Sequence, residues 1–184
     1  MLTAPAAVLS HAESAAPLSA SLSAPLSAPL MLRLASSALG ELDVSPTLVM
    51  HFPVPIGGFP LYHDYALVPA ARDGLWWLQS IDDADATFIL GDPFLHDTDY
   101  GFDIGDAERY ALCIADEADA FGLVMITLPN AESERATANC RAPLVFNLRE
   151  QLAMQVISRD DRHEVRRPID LARYKPHAHG VRMK

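Results

Sequence analysis

The sequence predicts a mainly β fold: a small antiparallel β-barrel-like domain with one or two short helices, preceded by a disordered N-terminal tail. Three observations lead there. Between Thr47 and Ile157 the chain carries seven or so short runs rich in β-branched, aromatic and aliphatic residues, separated by Gly, Pro and Asp punctuation. Strands at such close spacing build antiparallel barrels or sandwiches rather than α/β layers. The first 43 residues are biased to Ala, Ser, Leu and Pro and hold no aromatic residue, so they can bury little. Of the 184 residues, the remaining ~140 suffice to bury roughly two-thirds of the unfolded surface in one core.

Taken in order, residues 1–43 form the tail, with the repeat Leu-Ser-Ala-Pro-Leu-Ser-Ala-Pro-Leu at 22–30. Residues 1–32 carry no Lys or Arg, which removes the positive region of a secretory signal. Pro5, Pro17, Pro25 and Pro29 break any long apolar helix, and no other window is long enough for a membrane span. Leu32–Leu39 has the leucine content for a transient helix. The domain is then expected over residues 46–170. Thr47–Phe52 reads as its first strand, stopped by Pro53, Pro55 and Gly57-Gly58. Tyr65–Val68 follows. Leu75–Ile81 and Thr87–Leu90 flank five residues of which three are Asp, which is the pattern of a hairpin. Asp106–Ala115 opens on an N-cap residue type and places Tyr110, Ala111 and Ile114 at helical spacing. Phe121–Leu128, Ala142–Leu148 and Leu152–Ile157 complete the strands, and residues 171–184 form a basic C-terminal tail.

The hairpin holds both tryptophans of the chain, Trp76 and Trp77. Neighbouring side chains of a strand point to opposite faces, so only one of the two faces a given core. The other needs a second layer, a loop or a partner to cover it.

Trp77-Leu-Gln79-Ser80, Asp82-Asp83, Phe88 and Asp92-Pro93-Phe94 together resemble the flagellar assembly factor FliW family. Two further blocks fit in order: Phe52-Pro-Val-Pro-Ile-Gly57-Gly58-Phe59 upstream, and Thr137-Ala-Asn139-Cys-Arg-Ala-Pro143-Leu-Val-Phe-Asn147 followed by Gln155 downstream. The resemblance covers about residues 46–169. It departs locally near Arg162-His163, where family members often carry a Tyr. It implies a compact β-barrel-like domain and a non-enzymatic, cytoplasmic binding protein. The implied partners are flagellin and CsrA, an RNA-binding translational repressor of flagellin synthesis. The motif residues Phe52, Gly57, Gly58, Phe59, Gln79, Ser80, Pro93, Phe94, Asn139, Pro143 and Asn147 also have the chemistry of turns and strand ends, so a structural role stands beside a binding one.

Charge points the same way. The formal net charge is −10, and residues 82–119 hold twelve acidic side chains against Arg109 as the one base. Such a surface repels a phosphate backbone and suits a basic partner. The expected partner-binding residues are therefore Asp82, Asp83, Asp85, Asp92, Asp97, Asp99 and Asp103, with Trp76 and Trp77. Residues 159–184 carry eight Lys or Arg against four acids. That end supports the alternative, an RNA-contacting module using Arg159–Arg173, but it is short, interrupted by acids and poor in aromatics. Neither direct nucleic-acid nor membrane binding is expected of the domain.

No residue pattern calls for catalysis or a cofactor. Ser80 lies in a strand-like run rather than a Gly-x-Ser-x-Gly elbow, and Gly57-Gly58 lacks the Lys of a phosphate loop. From Asp97 a calcium-loop count places Phe102 where the turn glycine belongs. His96 reads as a surface residue, and His177-x-His179 lies without Cys or Glu partners. Cys113 and Cys140 stand in no metal or redox spacing and are read as reduced thiols.

Overall fold

The computed structural model describes residues 30–131 and 134–176. Eleven strands and one α-helix are present among them. Seven strands close a barrel: β3 (Val49–His51), β4 (Asp64–Pro69), β5 (Leu75–Ser80), β6 (Thr87–Gly91), β7 (Phe121–Thr127), β9 (Leu144–Asn147) and β10 (Leu152–Gln155). All neighbours are antiparallel except β10 and β3, which run parallel with Leu152 opposite His51 and close the ring. β7 is long enough to serve two partners. Phe121–Leu123 pair with β9, and Ile126–Thr127 pair with β8 (Thr137–Ala138), which is flanked in turn by β11 (Arg167–Pro168).

Period-two alternation decides what each strand buries. Along β4, Tyr65 and Leu67 enter the barrel core with Phe52, Leu78, Leu90 and Phe146, all fully buried. Ala66 and Val68 face the other way and are buried too, because a second layer covers them. That layer is a hairpin of β1 (Leu32–Ser36) and β2 (Gly40–Val44), in register from Leu32 opposite Val44 to Ser36 opposite Gly40. Leu34 and Val44 pack on Ala66 and Val68, with Leu32, Leu42, Trp77 and Ile81 around them.

This corrects the expected tail boundary of residue 43 and the expected helix at Leu32–Leu39. Leucines at alternate positions reward an extended chain when an apolar sheet face lies beneath them. Expectations for residues 1–29 lie outside the described residues. The C-terminal boundary moves as well. Residues 171–176 belong to the fold: a 3₁₀ turn at Leu171–Arg173 leads to Tyr174, which is fully buried. Arg72 Nη1 donates to Tyr174 O at 3.0 Å and the Asp73 amide to Lys175 O at 2.8 Å. A Cβ at Gly91 would collide with Tyr174 Oη, so only glycine lets that ring lie against β6. The His177-x-His179 pair is outside the described residues.

The helix α1 spans Asp106–Ala111, shorter than expected. Cys113 takes a left-handed conformation (φ 53°) and ends it, and Asp116 starts a separate capped turn with Asp119. Pro46–Leu48 forms a 3₁₀ turn, so the first barrel strand begins at Val49 rather than Thr47.

Candidate partner-binding surfaces

Ser80 and Gln79 fold the acidic turn after β5. Ser80 Oγ accepts from the Asp82 and Asp83 amides at 3.2 and 3.3 Å. Gln79, fully buried, donates from Nε2 to Asp83 O at 2.8 Å and Ser80 O at 3.1 Å, and accepts from Thr87 Oγ1 at 2.5 Å. The turn carboxylates are not equivalent. Tyr62 donates its hydroxyl to Asp83 Oδ2 at 2.6 Å, which with the Asp85 amide holds the Asp83 carboxyl below the usual range and raises the Tyr62 phenol. Asp85 accepts from Ser37 Oγ, and the Ser37 amide donates to Ala84 O at 2.9 Å. Two of the three acids thus pin the β1–β2 hairpin and the Tyr62 loop, and Asp82 is left facing solvent.

The remaining acidic positions divide similarly. Asp92 caps the Pro93–Leu95 turn by accepting from the Phe94 amide at 2.9 Å. Asp97 pairs with Arg167 Nη1 at 2.5 Å; that bond is the main reason its carboxyl is held low, partly opposed by desolvation. Asp99 and Asp103 are exposed. Four of the seven acids, Asp83, Asp85, Asp92 and Asp97, are thus engaged by the protein's own turns and side chains.

The other motif residues have clear mechanical positions. The Gly57 amide donates to Gln155 Oε1 at 3.1 Å, Gly58 has φ 91°, and the Phe59 ring meets Phe88 edge-on at 4.7 Å. Phe52 sits in the core against Tyr65, whose buried phenol is pushed up to about 12. Asn139 Oδ1 accepts from the Ala142 amide at 3.1 Å, and buried Pro143 accepts from Val156 at 2.9 Å. Asn147 Nδ2 donates to Leu112 O at 2.9 Å, tying the end of α1 to the β9–β10 turn. His96 is corrected from a surface residue: its ring packs 5.1 Å from Tyr174, and burial, aided by Arg173, lowers its pKa.

Trp76 and Trp77 are both half-buried, on opposite faces of β5. Trp77 lies beside the β1–β2 hairpin. Trp76 packs against the barrel core and lines a groove of about 700 Å³ between β5, β7 and the loop that leads to α1. Phe94, Phe102, Ile104 and Phe121 supply its apolar wall, with Asp92, Asp103, Arg109 and Glu117 among its polar residues. Phe94 is 52% exposed. A Cβ at Gly122 would strike the Phe102 ring, so glycine there lets Phe102 cover β7. In the sequence Phe102 figures only in the calcium-loop count and Ile104 not at all; their alternation with Asp103 is the available signal, hidden in an acidic loop.

Three of the five arginines at 159–173 bond within the protein. Arg162 forks onto Asp160 at 2.6–3.1 Å, Arg167 holds Asp97, and Arg173 donates to Leu95 O at 2.8 Å. Among the described residues no group of three side chains is placed to hold a metal, and no helix is long and apolar enough to cross a membrane.

Comparison with known proteins agrees with this geometry. The FliW protein family model matches residues 33–169, a span that includes all of the β1–β2 hairpin but Leu32. The flagellar assembly factor FliW of Moorella thermoacetica is 30% identical over 75% of this chain and 88% of its own length. That of Pseudothermotoga lettingae is 32% identical over 70% of this chain and 82% of its own. A crystal structure of the flagellar assembly factor FliW superposes with a TM-score of 0.67 at 26% identity, covering 74% of this chain and 96% of that one. With the barrel, the motif blocks and the span of the match in agreement, the chain belongs to the FliW family.

Proposed function

We propose that this protein is a non-enzymatic flagellar assembly factor of the cytoplasm that binds flagellin and CsrA, and that its capture of CsrA relieves repression of flagellin translation. The observation that carries this reading is the groove beside Trp76: an aromatic wall with acidic residues at Asp92, Asp103 and Glu117, on a protein of net charge −10. Flagellin offers amphipathic terminal helices, and such helices bury an apolar face in a groove of this kind. CsrA presents basic surface to RNA, and Asp82, Asp99 and Asp103 are exposed carboxylates complementary to it. The engaged state of Arg162, Arg167 and Arg173 argues against direct RNA contact.

Surface plasmon resonance with each partner at low and high salt tests the proposal. Substituting Asp82, Asp99 and Asp103 with Asn slows CsrA association about tenfold at low salt, and the difference shrinks as salt screens it over ~8–10 Å. Phe94→Ala weakens flagellin about tenfold with little salt dependence. Wild-type association of the Asn variant with CsrA at low salt refutes the electrostatic part, and unchanged flagellin affinity of Phe94→Ala refutes the groove.

A further inference from the structure

The segment Asp170-Leu-Ala-Arg-Tyr-Lys-Pro176 crosses the barrel where β5 begins and β6 ends. Asp170 caps its 3₁₀ turn by accepting from the Ala172 amide at 2.9 Å. Polar ties to the barrel come from Arg72, which bridges to Pro176, from the Asp73 amide on Lys175 O, and from Arg173 Nη1 on Leu95 O. One ring anchors it: Tyr174 is fully buried against Gly74 and Gly91.

This segment reaches both sides of β5. Leu171 and Ala172 line a smaller groove of about 470 Å³ beside Trp77. The turn it holds through Leu95 carries Phe94, and the loop it holds through Asp73 carries Gly74. Phe94 and Gly74 both line the Trp76 groove. The Asp92 amide donates to Gly74 O at 2.8 Å, so the two held pieces are also joined to each other.

Docking leaves polar groups unpaired. The Tyr174 hydroxyl and His96 Nε2 are buried with no hydrogen-bond partner among the described residues. A protonated imidazole has two N–H donors and carries charge into a buried site, so the unpaired nitrogen costs more once charged. Arg173 and Asp170 of the segment, Arg167 of β11 and Asp92 after β6 face the ring, which packs on Tyr174. Burial first and Arg173 second favour the neutral ring. Asp170 and Asp92 each already accept from a backbone amide. Moving the segment away takes Arg173 from the ring and opens His96 to water.

We propose that residues 170–176 are a latch on the Trp76 groove and that a proton on His96 releases it. On release Arg173 and Tyr174 leave together, and the Phe94 turn and Gly74 lose the contacts that set their spacing. The latch is closed at neutral pH and loosens as pH falls below the ordinary histidine value of ~6.5. That the groove docks a partner rests on the function proposed above; the latch itself needs none.

Native-state hydrogen exchange of the full chain without any partner tests this, with rates corrected for the intrinsic effect of pH. The Asp73 and Tyr174 amides read the latch, the Asp92 amide reads the groove, and the Val156 amide, bonded to Pro143 O, reads the barrel. At about pH 7.5 the latch amides should be less protected than Val156, because the segment opens without the barrel. Between about pH 7.5 and 5.5 their protection and that of Asp92 should fall about tenfold, the effect of one proton a unit below ~6.5. His96→Gln keeps a neutral polar side chain and should remove that fall. Latch amides as protected as Val156 overturn the proposal, since the segment then moves only with global unfolding. So does protection that does not fall with pH, a fall that persists in His96→Gln, or Asp92 protection that holds while the latch amides respond. All but the variant result are read on the wild-type chain, so they are independent of the variant's folding. Flagellin affinity enters none of them, so failure of the latch and failure of the docking reading are separate results.

Discussion

Gln79 shows how much one side chain organises here. It is fully buried, yet both ends of its amide are used, by Ser80 O, Asp83 O and Thr87 Oγ1. Gln79→Leu keeps the volume and leaves those groups unpaired, at a cost of about 2 kcal/mol. The melting temperature should fall by about 6 °C in a thermal scan. His96 makes a different prediction. Burial first and Arg173 second favour its neutral form; Asp170 opposes them, Arg167 adds a smaller push the same way as Arg173, and Asp92 opposes least. The folded pKa is depressed below the unfolded value of ~6.5. The unfolded chain therefore takes up the proton first as pH falls, and stability drops from about pH 6.5 down to the folded pKa. His96→Gln should flatten that slope in denaturant titrations across pH 5–7. The Asp97–Arg167 pair does not confuse the reading, because its folded carboxyl pKa is also depressed and its contribution is lost as pH falls from the ordinary carboxylate pKa toward the folded one, below the pH 5–7 window.

Among the elements, the β1–β2 hairpin is where structure changes the expected behaviour of a truncation. Deleting residues 1–29 leaves every described strand intact, and the melting temperature should shift by no more than about 2 °C. Deleting residues 1–44 strips Leu34 and Val44 from Ala66 and Val68 and removes Ser37 from Asp85 and Ala84. Each buried aliphatic side chain contributes about 1.5–3 kcal/mol, so the loss is several kcal/mol and the melting temperature should fall by about 10 °C or more. Equal melting of the two truncations would show that the hairpin adds nothing to the barrel. The same geometry explains why the turn acids are poor choices for a charge test: neutralising Asp83 and Asp85 alters the hairpin's anchorage as well as the field.

For the whole molecule, closure depends on contacts far apart in sequence, above all the parallel pairing of Leu152 with His51. Such topology folds slowly for its size. Cys113 is exposed and Cys140 buried, and both are free thiols. A chelator and a reductant together should leave the thermal transition within about 1 °C of the untreated protein. A clear drop would mean that a metal or a disulfide outside this arrangement holds the barrel.

The sequence by itself determined the elements whose burial repeats locally. β4 to β7, β9 and β10 each carry enough apolar residues over four to seven positions to declare a strand, and the Ser80–Asp85 turn chemistry is likewise local. The tertiary structure decided the rest. β8 and β11 are two residues long and exist only because each is paired across the fold. β1 and β2 alternate leucines with polar residues, but Ala and Ser around them read as tail until an apolar face at Ala66 and Val68 lies beneath. Which aspartates are exposed, and which tryptophan lines which groove, depends on Ser37, Tyr62, Arg167 and the hairpin, partners 21 to 70 residues away in the chain. Local patterning fixes conformation through propensity and period, whereas the availability of a side chain to a partner depends on what distant segments do to it.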